Sequence, residues 1–174
     1  MPAESPGAIE PLNDAIDHVR GPADAVAILE YGDYECPFSR RAYRAIEQIE
    51  AGQRVRFAFR HFPLTEIHPH ALAAAAAAEA AAVQGHFWEM HDILFHRQKA
   101  LEEDDIRGYA RELGLDLARF DGDRASEAAL ARIRRDFKSG IESGQVAGTP
   151  TLFIDGVLYD GGYDAGSISQ VLTA

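Results

Sequence analysis

The sequence predicts an α/β fold in which a block of helices, at about residues 66–144, separates the two halves of a small mixed sheet. Three observations support this prediction. A strand–helix–strand pattern occupies residues 26–62, apolar residues recur at helical spacing through the middle of the chain, and Asp155-Gly156 separates two short apolar runs near the end. A strand–helix–strand crossover leaves its two strands parallel, whereas a hairpin pairs its strands antiparallel, so we expect a mixed sheet.

The first half of the chain predicts strands around one helix. A short edge strand is expected near residues 17–20, before the turn at Gly21-Pro22. Residues 26–31 form a short, mostly apolar run, which is typical of a central buried strand. A helix follows, starting at Cys36-Pro37 and ending at Gly52, and residues 55–62 alternate apolar and polar side chains as a further strand.

The second half predicts helices, a hairpin and a final helix. Residues 72–83 are nearly all alanine, the best helix former. Three more apolar stripes recur at helical spacing, within residues 87–95, 106–113 and 130–141. Asp155-Gly156 favours a two-residue hairpin turn, so residues 151–159 are expected to pair as a hairpin before a helix at about 165–172.

Composition and charge restrict the classes of protein. The 174 residues are interpreted as a single domain, residues 1–174, in which the Pro- and acid-rich residues 1–16 are flexible. Lys and Arg number 17 against 28 Asp and Glu, a net charge of -11 that disfavours nucleic acid and anionic membranes as partners. We find no targeting or membrane-spanning pattern, and a single cysteine agrees with a cytoplasmic location.

Cys36 is the candidate reactive group. It follows a predicted buried strand and directly precedes Pro37, a residue favoured at the first position of a helix. Cys36 is therefore expected to cap the helix, where unpaired backbone N–H groups and the helix dipole stabilise a thiolate, the nucleophilic form of the side chain. Arg40 and Arg41 add positive charge in the first turn of the helix, whereas Asp33 and Glu35 oppose it.

Two segments of the sequence resemble a known family. The stretch LEYGDYECPFS, residues 29–39, resembles the active-site segment of DsbA-like thioredoxin-fold disulfide oxidoreductases, and VAGTPTLFIDG, residues 146–156, resembles the cis-proline loop and hairpin of that family. Residues 60–64 and 85–91 also look like segments of the family. The resemblance extends from about residue 17 to the end of the chain and implies a thioredoxin-like mixed sheet.

The resemblance implies roles for particular residues. Cys36 would be the attacking cysteine of a Cys36-Pro37-Phe38-Ser39 motif, and Pro150 would follow a cis peptide bond near its sulfur. The backbone of Thr149 would then be free to pair with an extended peptide substrate. Glu30 falls where many relatives carry a buried acid that tunes the cysteine, although a strand-end acid facing solvent is an equal alternative.

Ser39 departs from the family pattern, because it stands where these proteins usually carry a second cysteine, either as the natural residue or as a replacement. No internal disulfide is possible, so the expected chemistry uses one thiol. The chain would be a reductase or isomerase that acts on protein or glutathione mixed disulfides through Cys36, with glutathione as a co-substrate. Two alternatives stay open, namely a non-catalytic peptide-binding module and an enzyme resembling kappa-type glutathione transferases, in which Ser39 would activate glutathione.

No metal or resident cofactor is expected. The histidines considered as ligands are His68 and His70, which flank Pro69, together with His86, His91 and His96, which are spaced five residues apart. This spacing turns successive side chains away from one another, whereas zinc ligand sets have tighter spacing. The histidines are therefore interpreted as solvated or helix-capping, and Phe87 and Trp88 as core residues or as an apolar wall of a peptide groove.

Overall fold

The computed structural model describes residues 7–174. Its strands and helices follow the order predicted from the sequence. The strands are β1 (His18–Arg20), β2 (Ala27–Gly32), β3 (Arg56–His61), β4 (Thr151–Ile154) and β5 (Val157–Leu158). The helices are α1 (Pro37–Gly52), α2 (Ala71–Val83), α3 (Phe87–His96), α4 (Glu103–Glu112), α5 (Leu117–Arg124), α6 (Glu127–Ser143) and α7 (Ala165–Leu172).

The strands form one mixed sheet in the order β1-β3-β2-β4-β5. β2 lies at the centre, parallel to β3, as the strand–helix–strand pattern predicts, and antiparallel to β4. β1 is an antiparallel edge strand, and β4 and β5 form the hairpin expected at Asp155-Gly156. Both turn residues have positive φ, 45° and 81°, which suits an Asp-Gly turn. The fold class predicted from the sequence is confirmed.

The sheet separates two apolar cores, since successive residues of a strand point to opposite faces. On one face, Ile28 of β2 and Phe57 and Phe59 of β3 pack with α1, α2 and α3. On the other face, Leu29 and Tyr31 of β2 pack with residues that include Phe62, Val146 and Phe153. α2 approaches its neighbours closely because its buried residues are mostly alanine, and α5 is a helix that the sequence pattern did not predict.

The structure differs from the expectation of a flexible stretch over residues 1–16. Residues 1–6 lie outside the described residues. In the remainder, Ile9 is buried in the second core, and the guanidinium of Arg60 donates hydrogen bonds to the carbonyl oxygens of Glu10 (2.8 Å) and Pro11 (3.0 Å). Arg60 also makes a bidentate ion pair with Asp17, in which both side chains are fully buried. These contacts hold residues 9–17 against the sheet.

Among residues 7–174, no helix has the length and apolar character needed to cross a membrane.

Candidate active site

Cys36 lies at the turn from β2 into α1, as predicted. It is the N-cap residue of α1 with extended backbone angles (φ -75°, ψ 121°), and Pro37 begins the helix. The Cys36 carbonyl accepts the N–H of Arg40, while its side chain forms no capping hydrogen bond and is only 4% exposed. The sulfur therefore belongs to the residue at the positive end of a 16-residue helix.

The loop at Thr149 and Pro150 meets the sulfur of Cys36. The Cys36 thiol donates to the carbonyl oxygen of Thr149 at 3.4 Å, and the Thr149–Pro150 peptide bond is cis, which confirms that expectation. Tyr163, just before α7, donates its hydroxyl proton to the carbonyl oxygen of Pro150 at 3.1 Å. Thr149 itself is half-buried, and it lies two residues before the start of β4.

Asp33 organises the loop before the cysteine. Its carboxylate is buried and accepts hydrogen bonds from the N–H of Glu35 (2.8 Å) and the N–H of Leu64 (2.9 Å). His68 Nδ1 lies 2.7 Å from the same carboxylate, and the carbonyl of Asp33 accepts the N–H of Cys36. Asp33 was interpreted from the sequence as an opposing charge, but its four contacts make it the residue that fixes the approach to α1.

Two further side chains hold this loop from the helical block. The amide of Gln98 donates to the carbonyl oxygens of Tyr34 (2.9 Å) and Cys36 (2.8 Å). The carboxylate of Glu35 accepts from both the backbone N–H (2.6 Å) and the Nδ1 atom (2.9 Å) of His70. The hydrogen bond to Glu35 raises the pKa of His70 above its ordinary value. Residues at the ends of α2 and α3, outside the β2–α1 unit, therefore position the cysteine.

Phe38 and Ser39 occupy very different environments within the Cys-Pro-Phe-Ser motif. The Phe38 ring is 60% exposed beside the cysteine, whereas Ser39 is fully buried. The sequence suggested that the Ser39 hydroxyl could donate to the Cys36 sulfur. Its oxygen instead accepts the backbone N–H of Asp33 at 3.2 Å, so this serine closes the turn before the helix.

Glu30 is completely buried, and the alternative of a solvent-facing acid is therefore wrong. It shares the helix-covered face of β2 with Ile28, and neither of its carboxyl oxygens has a hydrogen-bond partner among the described residues. Burial raises the pKa of Glu30 to about 8, so the group is mostly neutral at pH 7. The pKa of Tyr163 is raised by burial first and then by the charges of Cys36 and Glu30.

The histidines are less solvated than the sequence suggested. His91 is fully buried against Tyr34, whose hydroxyl lies 2.9 Å from His91 Nδ1, and burial together with the charge of Arg20 lowers the pKa of His91. His61 is also buried. His70 and His86 occupy the N-cap positions of α2 and α3, but neither side chain forms a capping hydrogen bond.

One triad has the donor types of a metal site. His18 Nε2 and His61 Nε2 each lie 2.7 Å from Glu79 Oε1, and all three ligand atoms fall within 4.8 Å of one another. Burial opposes ionisation of Glu79, but the hydrogen bonds from the two histidines outweigh it and lower the pKa of this carboxyl. Two hydrogen bonds to one oxygen account for the arrangement without an ion. The sequence signal that could have indicated this triad is Glu79, the one acidic residue within the alanine run.

Sequence reasoning missed Gln98 and Tyr163 altogether. Neither lies in a motif; Gln98 reaches the site from the turn after α3, and Tyr163 from the loop before α7. The structure does bring together Cys36, Thr149 and Pro150, and it places Glu30 in the core on the same side of the sheet as α1.

Several solved structures have a fold similar to that of this chain. A thioredoxin-like oxidoreductase from Silicibacter pomeroyi is 26% identical with a TM-score of 0.78, and the match covers 92% of this chain and 91% of that one. BdbD from Bacillus subtilis is 19% identical with a TM-score of 0.80, covering 96% and 95% of the two chains. The thiol-disulfide exchange protein α-DsbA2 from Wolbachia pipientis is 20% identical, also with a TM-score of 0.80, over 92% and 87%. These neighbours share the predicted fold.

The curated relatives with similar sequences are described as transporters. Na(+)/H(+) antiporter NhaA 1 of Salinispora arenicola is 43% identical over 94% of this chain but only 25% of its own length, and NhaA of Herminiimonas arsenicoxydans is 44% identical over 99% and 28%. The chain thus spans about a quarter of the length of these relatives. A family model described as thioredoxin matches residues 14–174, and the chain belongs to the thioredoxin family.

Proposed function

We propose that this chain is a thiol–disulfide oxidoreductase that works with one thiol, as a reductase or isomerase of protein or glutathione mixed disulfides. The observation that carries the proposal is the position of the Cys36 sulfur at the N-terminus of α1, 3.4 Å from the carbonyl oxygen of Thr149. A substrate strand that pairs with the backbone of Thr149 would bring its own disulfide to this sulfur.

The reaction proceeds in two balanced exchanges. The Cys36 thiolate attacks one sulfur of a substrate disulfide, forms a Cys36–substrate disulfide and releases the other substrate sulfur as a thiolate. An external thiolate such as that of glutathione then attacks the mixed disulfide, which frees the Cys36 thiolate and leaves the external thiol disulfide-bonded to the substrate. The external thiol is a co-substrate, since the chain has no second cysteine.

The surrounding residues have supporting roles in this proposal. Pro37 starts the helix whose dipole stabilises the thiolate, and the exposed ring of Phe38 offers apolar contact to a substrate. Pro150 sets the course of the loop that presents Thr149. When it ionises, the buried carboxyl of Glu30 adjusts the local electrostatics, because a charge within the core is screened far less than one in water.

Mass spectrometry of the intact protein tests the proposal. Incubation with a disulfide in the absence of free thiol should produce a covalent adduct on Cys36, and added glutathione should remove it. Cys36→Ser should form no adduct, while Ser39→Ala should still form one because its missing hydroxyl is not the nucleophile. A wild-type protein that forms no adduct with any disulfide would favour a non-catalytic peptide-binding module. The burial of Ser39 argues against the transferase alternative, in which that hydroxyl must reach glutathione.

The antiporter relatives support a second candidate function, a redox module that acts beside a membrane transporter. Nearly the whole chain is 43% identical to part of an NhaA antiporter. The test is antiport measured in membrane vesicles that contain an NhaA protein, with the chain or its Cys36→Ser variant added. Antiport that responds to the wild type alone supports the candidate, and antiport that is unchanged by both removes it.

We also propose the cytoplasm as the compartment, supported by the single cysteine. A membrane-impermeant maleimide applied to intact cells should then leave Cys36 unlabelled, although the same reagent labels it after lysis. Labelling in intact cells would contradict the proposal.

A further inference from the structure

A positively charged cleft lies directly beside Cys36. It has a volume of about 410 Å³, a size typical of small-molecule sites, and it lies between the start of α1 and the segment after α3. Its lining comprises Glu35, Pro37, Arg40, Arg41, Arg44, Gln98 and Lys99. Pro37 is the residue after the cysteine, and the side chain of Gln98 donates a hydrogen bond to the Cys36 carbonyl, so two lining residues of the cleft are direct neighbours of Cys36.

The cations of this cleft are unusual in a chain with a net charge of -11. Most Lys and Arg side chains among the described residues form ion pairs with acids. Those outside these pairs are Arg40, Arg41, Arg44, Lys99, Arg111 and Arg119, and the first four of them line the cleft. Unpaired positive charge is therefore concentrated at the candidate active site.

Hydrogen bonds hold some of the side chains that line the cleft in position. Arg40 is half-buried, and its guanidinium donates to the carbonyl oxygens of Phe95 (3.1 Å) and His96 (3.4 Å) at the end of α3. The one acid in the lining, Glu35, is engaged by His70. Positions 37, 40, 41 and 44 share one face of α1, and eight residues from Cys36 to Arg44 span about 12 Å of helix axis.

We propose, resting on the function above, that this cleft selects anionic disulfides, binding substrate carboxylates while Cys36 attacks the neighbouring sulfur. The ligand class is a small peptide disulfide that bears carboxylates within about 12 Å of its sulfur. Glutathione disulfide and a short peptide with acidic residues beside its cysteine share this chemistry. The covalent step is the exchange already described, in which the Cys36–substrate disulfide forms and the leaving sulfur departs as a thiolate.

The experiment measures the rate of Cys36 adduct formation with disulfides of different charge. The probes are anionic glutathione disulfide, neutral hydroxyethyl disulfide and cationic cystamine, at low and at high salt. We expect the anionic probe to gain most from low salt, because exposed charges are screened over about 10 Å at 0.1 M salt. The double variant Arg41→Gln/Arg44→Gln should slow the anionic probe roughly fivefold more than the neutral probe, the scale expected for two exposed charge pairs, because any loss of thiolate stabilisation by Arg41 slows both probes alike.

A matched control separates local from global charge. Arg111→Gln/Arg119→Gln removes the same amount of charge from exposed, unpaired positions away from the cleft and should leave all three rates unchanged. Equal slowing by both double variants, or equal rates for the three probes in the wild type, would overturn the cleft proposal while leaving the oxidoreductase proposal intact. Failure of every probe to react would instead overturn the oxidoreductase proposal, and with it this one.

A final arm distinguishes the two sources of carboxylate. Glutathione disulfide and an acidic peptide disulfide are compared for saturation of the rate with concentration. If the rate saturates with glutathione disulfide, and the Arg41→Gln/Arg44→Gln variant loses this saturation, the ligand of the cleft is glutathione disulfide. If the rate saturates only with the peptide disulfide, and the variant loses that saturation, the ligand is an acidic polypeptide. Rates that rise linearly for both, with no effect of the variant, contradict a binding site.

Discussion

The sulfur of Cys36 lies 3.4 Å from the carbonyl oxygen of Thr149, although the two residues are 113 positions apart in the chain. Strand pairing explains this contact. β2 and β4 are antiparallel neighbours, with Tyr31 opposite Thr151, so the end of β2 lies beside the beginning of β4. The cysteine follows one strand end and Thr149 precedes the other, and the whole helical block is accommodated between them without disturbing the site.

The first prediction concerns stability and the proton on Glu30. Burial raises its pKa from 4.5 to about 8, so between these values the folded protein holds a proton that the unfolded chain has released. The folded state binds more protons in this window, and stability must fall as the pH rises through it. Glu30→Gln should remove this contribution, which is at most a few kcal/mol by the conversion of 1.36 kcal/mol per pKa unit.

Urea unfolding of the wild type and of Glu30→Gln at several values between pH 5 and pH 9 provides the measurement. The difference in unfolding free energy should move in favour of the variant as the pH rises. Glu66→Gln, which changes an exposed glutamate, is the control and should follow the wild type. Parallel pH profiles for wild type and Glu30→Gln would show that the carboxyl is not buried as described.

The second prediction concerns the space at Gly32. A Cβ atom at this position would lie 2.4 Å from Cε2 of Phe59 and 2.8 Å from Oε1 of Glu30, both of which are buried. Gly32→Ala should therefore destabilise the protein by about 1–3 kcal/mol, the usual cost of overpacking a core. Gly52→Ala is the matched control, since nothing lies within 4 Å of its Cβ position, and it should be neutral or slightly stabilising in thermal unfolding. Equal melting temperatures for the two variants would contradict the tight packing at Gly32.

The third prediction concerns the buried ion pair that holds the N-terminal stretch. Asp17→Ala would leave the fully buried guanidinium of Arg60 without its carboxylate, a change that typically costs about 3–5 kcal/mol. Asp24→Ala, which removes an exposed partner of Arg54, should cost less than about 1 kcal/mol. Denaturant unfolding gives both values, and limited proteolysis should cut residues 9–16 faster in Asp17→Ala. A small, equal cost for both variants would indicate that this stretch is not anchored through Arg60.

The sequence predicted those parts of the fold that local patterns determine. The alternation over residues 55–62, the alanine run and Asp155-Gly156 each specify an element through contacts within a few residues, and the structure has all three. α5 was missed because its 8 residues bury little more than Phe120 and carry no clear apolar period. Strand alternation could also have predicted the burial of Glu30, because this residue shares its face of β2 with the buried Ile28.

The site was predictable where it lies on the chain's own motif and unpredictable where it depends on long-range contacts. Cys36 and Pro37 follow from helix-capping rules, and their placement is confirmed. Gln98 reaches the Cys36 carbonyl from 62 positions away, and His68 reaches Asp33 from 35. Such contacts depend on how helices pack, which residue spacing does not determine. The resemblance to a family identified Thr149 and Pro150, because no local pattern connects that loop to the cysteine.

The last prediction concerns Ser39. Cys36 is the N-cap residue of α1, and Ser39 is the third residue of that helix. Side chains three positions apart are neighbours on the surface of a helix. Ser39→Cys should therefore form an internal disulfide with Cys36 under oxidising conditions, seen as the loss of two hydrogens by mass spectrometry. The new thiol would also attack a Cys36–substrate disulfide, forming the internal disulfide and expelling the substrate as a thiolate, so in a single turnover insulin should leave Cys36 without glutathione, unlike in the wild type.

Ser39→Ala is the control for the lost hydroxyl, because either substitution removes the acceptor of the Asp33 N–H. We expect Ser39→Ala to lose about 1 kcal/mol of stability by the usual worth of one hydrogen bond, and to keep the glutathione dependence of the wild type. A Ser39→Cys protein that folds but forms no disulfide would contradict the geometry of the site, since the two sulfurs must then point apart. A disulfide that forms without changing the glutathione dependence would contradict the proposed catalytic cycle instead, because release of substrate from Cys36 would not be the step that the external thiol performs.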